Sequence, residues 1–536
     1  MLGLPLSLSA ALPAHAAATD LTALSLEQLL EATIVGASKY EQKQSQVATA
    51  ASVITREEIK AFGWRTLAEA LASLPGVHTT YDSQYSYLGT RGFGLPGDFN
   101  TRVLLTLDGN RVNDAVFDQA YAGRDFPLDI DLIEHIEFIP GLGGAVYGQN
   151  AMFGVVNVIT RRGATFDGAE LAVAYQRPQA TREGRASYGR QLDNGADVLL
   201  SASGLRSRGE NRFFDFGAAG VSGVAAGLDG ERDRLKNDPV DTYLSDPLVP
   251  GQHQRDRHLL VQLQYQDSVA ENLQLTGRIF MGQEHYAGPF TYGGAPTAQV
   301  AYGVWQGAEA LLSTAWKNHK LLLGAEYQAN TRQDQSFQDI GTPANSVAVP
   351  GSGWRAGVYV QDFSYQNQAA DPSLGGEKID TLELVADHRV DPGLSLRGSA
   401  YYWNMRQLVM LGTEPASGIP QYQNGQNIKA HGVEVSAVQS WSRGARLRGS
   451  LSYQQPRYAS GTVLANAPSL LGKLNFSTPL PVAGLRAGYE LQYDSQRRAI
   501  DGTDRQAPCT PRFQQQLAEH ARTGWRSVRV KLSYRF

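Results

Sequence analysis

The stretch IEHIEFIPGLGGAVYGQNAMFGVVNVITRRG, running from Ile133 to Gly163, decides the fold. Two apolar runs rich in β-branched residues, Ile136–Ile139 and Val155–Ile159, flank a Gly-rich connection centred on Tyr147-Gly148. Such runs bounded by glycines predict two short buried strands, with glycine permitting turns that other residues would strain. A nucleotide-binding loop is the competing reading, and it fails. No Lys-Ser or Lys-Thr follows the glycines, and Gly141, Gly143 and Gly144 lack G-x-G-x-x-G spacing.

Upstream of this stretch the signals are dense. Asp131 with Glu134 fits a short capped helix just before it, and Val103–Leu107 followed by Asp108-Gly109 predicts a strand and tight turn. Thr66 with Glu69 fits a capping box opening a helix whose apolar face is Leu67, Ala70, Leu71 and Leu74, ended by Pro75-Gly76. Thr55 with Glu58 fits another, opening a helix to about Phe62 after the strand Ser52–Ile54.

Composition bounds the function. Gly accounts for 56 of 536 residues, above the usual ~7%, which implies many turns. A net charge of −4 offers no basic field for nucleic acid. The single Cys509 excludes an intramolecular disulfide and any Cys-rich metal site. Asp114, Asp118 and Asp125 do not form a Ca²⁺ loop, and His285 and His319 stand isolated, so no metal site and no cofactor is expected. There is no nucleophile–base constellation, no H-E-x-x-H and no P-loop, so no enzyme is expected. Beyond the N-terminus no run of ~18 apolar residues exists, which leaves a soluble protein or a β-barrel membrane protein. Residues 1–18 are apolar and end in Ala14-His15-Ala16, a fit to a signal peptide although the basic start is lacking.

After Gly163 the texture changes to segments of roughly ten residues alternating apolar and polar, as a transmembrane barrel requires. Val528, Val530, Leu532, Tyr534 and Phe536 share one face of the last segment, opposite Arg529, Lys531, Ser533 and Arg535. Leu259/Val261/Leu263/Tyr265, Leu273/Leu275/Gly277/Ile279 and Leu447/Gly449/Leu451/Tyr453 alternate likewise. A soluble β-sandwich would alternate too; the export signal and the terminal aromatic strand favour the barrel.

The upstream motifs, in their order, resemble the plug domain of TonB-dependent outer-membrane receptors. They are Ser52–Thr55, Leu67–Leu71, Leu74–Val77, Thr90–Phe93, Leu107–Arg111, Ile136-Glu137, Gly141, Tyr147-Gly148, Gly154 and Val156–Thr160. The resemblance implies a transmembrane antiparallel β-barrel with an N-terminal α/β plug in its lumen. The chain divides accordingly into a signal peptide (1–18), a periplasmic segment (19–46), the plug (47–163) and the barrel (164–536). Only ~30 residues precede the box described next, fewer than the ~50 of a small domain, so no N-terminal signalling domain is expected.

Several functional expectations come with the resemblance. Thr33, Ile34, Val35, Gly36 and Ala37 resemble the TonB box, a strand that adds to the sheet edge of the periplasmic energy-transducing partner TonB. Active uptake of a ferric siderophore across the bacterial outer membrane by a monomer is implied, with cobalamin, haem or another metal complex as alternatives. A passive porin or a non-functional shortened receptor is the reading from a different class. Tyr81, Tyr85, Tyr87, Asn113, Asp114, Phe117 and Tyr121 fall in two plug loops placed to meet cargo. Clustered tyrosines suit an amphipathic ligand, and would equally serve as packing against the barrel wall.

Glu383 lies between Leu382 and Leu384, and Glu434 between Val433 and Val435, which puts both carboxylates on the lumen side. Asn427–Val435 resembles the family's N-x-x-A-x-G-x-E barrel motif, whose Glu pairs with plug arginines; Arg91 matches one of these. The second, in an Arg-Gly-Pro, is replaced here by Pro140-Gly141-Leu142. One cation is then expected to face two carboxylates. The barrel itself looks short: for ~22 strands, Ala164–Phe536 leaves roughly 17 residues per strand with its connections, and only about fifteen segments alternate. Set against the family, the chain looks spliced near Arg232, Asp362 and Arg505; an undercount of weakly alternating strands is the alternative explanation.

Overall fold

The computed structural model describes residues 6–12, 33–34, 42–43, 50–81, 85–94, 98–141, 147–177, 180–208, 212–215, 222–225, 253–270, 272–292, 295–316, 319–340, 347–349, 353–355, 373–413, 420–481, 486–498 and 529–535.

Among the described residues the plug has seven strands: β1 (Ser52–Thr55), β2 (Val77–Tyr81), β3 (Ser86–Thr90), β4 (Val103–Leu107), β5 (Asn110–Arg111), β6 (Ile133–Pro140) and β7 (Gly154–Thr160). Five of them form a sheet in the order β1-β6-β7-β4-β5, while β2 and β3 make a hairpin. The deciding stretch supplies the centre, β6 antiparallel to β7 with Val155 opposite Ile139 and Val158 opposite Ile136. A buried core of Ile54, Leu105, Ile136, Phe138, Val156 and Val158 runs along it. Asp108 and Gly109 both take positive φ, 50° and 85°, the turn that joins β4 to β5 with the strands' own twist.

Helix α1 (Arg56–Phe62) opens as expected, with Thr55 and Glu58 forming a reciprocal capping box. Helix α2 (Leu67–Leu71) departs from expectation in two ways. Thr66 Oγ1 accepts from Glu69 N, but the Glu69 carboxylate turns to Arg65, accepting from its backbone N at 2.7 Å. The helix also ends at Leu71, short of Leu74. Before β6 a single 3-10 turn, Ile130–Leu132, is capped by Asp129 rather than Asp131.

After the plug come fourteen long strands among the described residues. They are β8 (Gly168–Gln176), β9 (Thr181–Gln191), β10 (Asp197–Arg206), β11 (Arg255–Ala270), β12 (Leu273–Tyr292), β13 (Ala295–Trp316), β14 (His319–Asp339), β15 (Lys378–Asp391), β16 (Leu394–Arg406), β17 (Ile428–Ser440), β18 (Arg446–Tyr458), β19 (Leu470–Pro479), β20 (Arg486–Asp494) and β21 (Arg529–Arg535). One sheet runs β14-β13-β12-β11, then Leu6–Leu12, then β10-β9-β8-β21; the other runs β15-β16-β17-β18-β19-β20. Pairing of β8 with β21 joins the start of the wall to its end.

Among the described residues the direct ladder is interrupted between β10 and β11, β14 and β15, and β20 and β21. The places where the sequence looked short of strands, near Arg232, Asp362 and Arg505, lie outside the described residues. Leu6–Leu12, expected within a signal peptide, sits in the first interruption, antiparallel to β10 and parallel to β11. Its LSLSAAL pattern alternates with period two, which suits a strand. A single strand between two oppositely directed ones must lie parallel to one of them.

The wall has the polarity of a membrane barrel. Leu171, Val173, Ile279, Leu323, Leu382, Leu384, Val433, Leu451 and Leu491 are exposed on its outside. Arg185, Ser201, Glu309, Ser399, Glu434, Arg448 and Lys473 are buried on its inside. Apolar residues facing out and polar ones facing in is the arrangement hydrocarbon outside demands.

Candidate functional site

The plug is tied to the wall through Arg91. The residue lies in the turn after β3 with a left-handed φ of 52°, a conformation uncommon outside glycine and held here by its surroundings. Its side chain is 1% exposed. Nη2 bonds Glu383 of β15; Nε and Nη2 reach the two oxygens of Glu434 of β17 at 3.3 and 3.2 Å. The guanidinium also lies 4.2 Å over the Tyr401 ring of β16, the strand between those two. Ser399 Oγ donates to Glu434 at 2.9 Å. Thus one cation meets carboxylates from two strands, as the alternation around Glu383 and Glu434 required. Gly76 makes the approach possible, since a Cβ there would overlap Oε1 of Glu434.

Further ties between the plug and the wall had no signal in the sequence. At the end where the plug enters and leaves the barrel, Glu58 of α1 pairs with Arg448 of β18 at 3.1 Å, and Trp64 Nε1 donates to Glu490 of β20 at 3.0 Å. At the opposite end, Arg102 bonds Asp98 and Glu377, and donates to the carbonyl of Val409. That contact pins the hairpin Val409–Thr413/Pro420–Asn424 to the plug. Arg124 pairs with Glu183 of β9 at 2.7 Å.

The loops expected to meet cargo turn largely inward. Asn113 is buried, accepting from Leu105 N and donating to the carbonyls of Val103 and Asp118. Asp114 is buried too, its carboxylate accepting from the backbone N of Val116, Phe117 and Gln119. Both side chains serve the loop's own backbone, a correction to their reading as ligand-facing. Glu284 of β12 sits against Asp114 and accepts from Ala115 N at 2.9 Å. Burial, with the Asp118 charge adding, lifts the Asp114 carboxyl to about 6.

Tyr121 is buried as well, stacked on Tyr85 at 6.5 Å and edge-on to His258 of β11 at 5.3 Å. Tyr87 is buried against Phe99. Phe117 is half-buried, and Tyr81 is exposed. Packing against the wall therefore accounts for Tyr121, and packing within the plug for Tyr87. Of the residues expected to form the TonB box, Thr33 and Ile34 pair with Gln42–Lys43; Val35, Gly36 and Ala37 lie outside the described residues. Among the described residues no cluster of three metal-ligating side chains occurs.

A β-barrel with an apolar outer band and a plug in its lumen is the architecture of an outer-membrane protein. Residues 43–155 match the TonB-dependent Receptor Plug Domain, and residues 351–536 match the TonB dependent receptor-like beta-barrel. The chain belongs to the TonB-dependent receptors, a family of receptors and transporters rather than enzymes, and is a bacterial outer-membrane protein.

Among its relatives, the Vitamin B12 transporter BtuB of Vibrio vulnificus (strain CMCP6) is 31% identical over 183 residues. That match takes in 33% of this chain and only 28% of BtuB. The pyoverdine outer membrane receptor FpvA of Pseudomonas aeruginosa PAO1 superposes with a TM-score of 0.62 at 12% identity, covering 88% of this chain and 87% of that one. The ferric preacinetobactin receptor BauA of Acinetobacter baumannii gives 0.57 at 13%, covering 87% and 88%. At such identities these likenesses speak for the fold alone.

Proposed function

We infer that this receptor actively takes up a scarce ligand, a ferric siderophore, across the outer membrane, driven from the periplasm by TonB acting on the Thr33–Ala37 box. The observation that carries the reading is the plug held inside the barrel by Arg91 between Glu383 and Glu434. A lumen closed by a buried, multiply bonded plug passes cargo only when work rearranges the plug, and strand addition at the box supplies a handle for that work. Cobalamin is the second reading, favoured by the 31% identity to a vitamin B12 transporter.

The test is uptake in a host stripped of its own receptors, supplied in parallel with ferric siderophores and with cobalamin. Growth on one set assigns the cargo class. Deleting residues 33–37 should abolish uptake while cargo binding to the purified receptor persists. Uptake that survives the deletion overturns the reading in favour of passive leakage through a shortened barrel.

A further inference from the structure

The plug loop 113–119 is held by three strands of the sheet that the Arg91 lock does not touch. Glu284 Oε1 of β12 accepts from the backbone N of Ala115 at 2.9 Å, and Gln333 of β14 donates to the carbonyl of the same residue. Between them Gly303 of β13 faces the Ala115 methyl group, and a Cβ on Gly303 would overlap Glu284 Oε1. Ala115 is therefore gripped at both its N–H and its carbonyl by side chains of the wall, with a glycine clearing the room.

The grip has an unpaired end. Glu284 is 4% exposed, and its Oε2 meets no hydrogen-bond partner among the described residues. Against the same carboxyl lies that of Asp114, itself buried. Asp114 already accepts from Val116 and Phe117 at Oδ1 and from Gln119 at Oδ2. A carboxylate has about four acceptor positions, so Oδ2 keeps one open. Two ionised carboxylates facing each other away from water repel and forfeit their hydration, and one shared proton lowers both costs. A protonated Glu284 Oε2 donates into the open position of Asp114 while Oε1 goes on accepting from Ala115.

The groups around the pair favour keeping that proton. Asp118 on the loop adds negative charge beside Asp114, and Asp256 of β11 adds it beyond Tyr121. Burial holds the Tyr121 hydroxyl protonated. His258 of β11 stands opposite Glu284 in the ladder and packs edge-on against Tyr121, while Gly303 and Gln333 carry no charge. The rise of the Asp114 carboxyl to about 6 has the sign that such a pair requires.

We propose that Asp114 and Glu284 hold one proton between them and that this proton latches the loop 113–119 to β12–β14. Glu284 is then a positioning residue: it fixes Ala115 and steadies Asp114, whose own three bonds shape the loop. As pH rises the proton leaves for water, a second negative charge stays in a dry place, and the loop lets go. The Arg91 lock on β15 and β17 rests on a guanidinium that stays charged over the same range, and keeps its hold. One sheet grips the plug by a fixed charge and the other by a proton, so the plug loosens first on the side of β12–β14. The inference concerns the fastening and stands whatever the cargo.

The experiment is hydrogen exchange of the purified full-length receptor in detergent, corrected at each pH for the intrinsic exchange rate. Protection of the amides of Ala115, Val116, Phe117 and Gln119 should fall at least about tenfold between about pH 5 and about pH 8, while that of Arg91 and Gly92 holds. Glu284→Gln puts an amide where the protonated carboxyl stood, with an oxygen for Ala115 and an N–H for Asp114. It should keep the acid level of protection at both pH values. A Glu284→Gln receptor that loses protection with pH as the parent does overturns the shared proton. His258→Gln should leave the response in place; its disappearance would assign the proton to the imidazole and overturn the pair. Protection restored at about pH 8 by ~1 mM Ca²⁺ would make the carboxyls a cation site and likewise overturn it. Glu284→Ala should show low protection throughout, and parent-like protection overturns the latch. Folding is checked by heat-modifiable electrophoretic migration. If Glu284→Ala fails it, Gln333→Leu takes its place: it should lower protection at both pH values and keep the response to pH, and unchanged protection overturns the latch.

Discussion

Replacing Arg91 with Ala removes the one cation that Glu383 and Glu434 share. Both carboxylates are largely buried, at 13% and 8% exposure, and neither can relax into water without moving its strand. Breaking a buried ion pair by deleting one partner costs about 3–5 kcal/mol, because the remaining charge stays desolvated. The two pairs use one guanidinium, so their costs do not add. Losing the stack over Tyr401 adds about 1 kcal/mol, and Ser399 continues to support Glu434. Altogether the seating of the plug should weaken by about 4–6 kcal/mol. Glu383→Gln should cost only about 1–2 kcal/mol, since Arg91 keeps Glu434 and a neutral acceptor stays in place. The assay is hydrogen exchange of the amides from Gly76 to Phe93 in increasing urea, which reads local opening of the plug while the barrel stays folded. An Arg91→Ala shift below about 1 kcal/mol would refute the lock. So would a double-mutant cycle of Arg91→Ala with Glu434→Gln that shows no coupling.

Three more outcomes follow from the geometry. Gly76→Ala puts a Cβ into Glu434 Oε1 at a left-handed φ of 67°, so it should weaken the Arg91–Glu434 coupling in the same cycle; unchanged coupling would show that the loop can retreat. Asp114 has its carboxyl raised to about 6 against an unfolded value of ~3.9, so it favours the folded plug below about pH 4, and that favour fades as pH rises through about 6. The loss amounts to about 3 kcal/mol, Asp114→Asn should flatten the slope of plug opening between pH 4 and 7, and an identical slope in the variant would remove Asp114 as its source. Ile34→Pro should remove a backbone donor from the box and lower transport while leaving cargo affinity alone; equal loss of affinity in the purified receptor would disprove the box.

The parts of the plug that were legible are those whose cause is local. Thr55 and Glu58 cap α1 across a single turn, and Asp108-Gly109 makes its hairpin with adjacent residues. Glu69 failed the same test because Arg65, four residues back, competes for its carboxylate. Arg91, Glu383 and Glu434 were found because alternation fixes which face a strand residue occupies and the family motif named the partners. Which way Asn113 and Tyr121 turn was not legible, for the opposite reason. A loop rich in polar and aromatic residues looks the same whether solvent or a barrel wall lies over it, and β11 and β12 cover this one. Arg102 gripping Glu377 and Val409 rests on partners about three hundred residues away, beyond any periodicity.

Among the described residues the strands keep one rule of direction across the stretches where the ladder is not continuous, and the lock lies outside those stretches. Strands alternate in direction, so each strand that ends at the end remote from the plug's entry must be followed by one that starts there. Arg206 and Arg255, Asp339 and Lys378, and Asp494 and Arg529 bound the three interruptions, and in each case the alternation continues in phase. Any shortening at such places that keeps this alternation would remove whole hairpins, an even number of strands, and leave the direction and facing of every remaining residue unchanged. Glu383 and Glu434 come from β15 and β17, with Tyr401 from β16 between them, all within the uninterrupted run β15–β20. The same run supplies Arg448 and Glu490 to the plug's entry end. A barrel that had lost hairpins elsewhere in its wall would therefore keep the register of the sheet that grips the plug, and closure of the wall, not the fastening of the plug, would bear the cost.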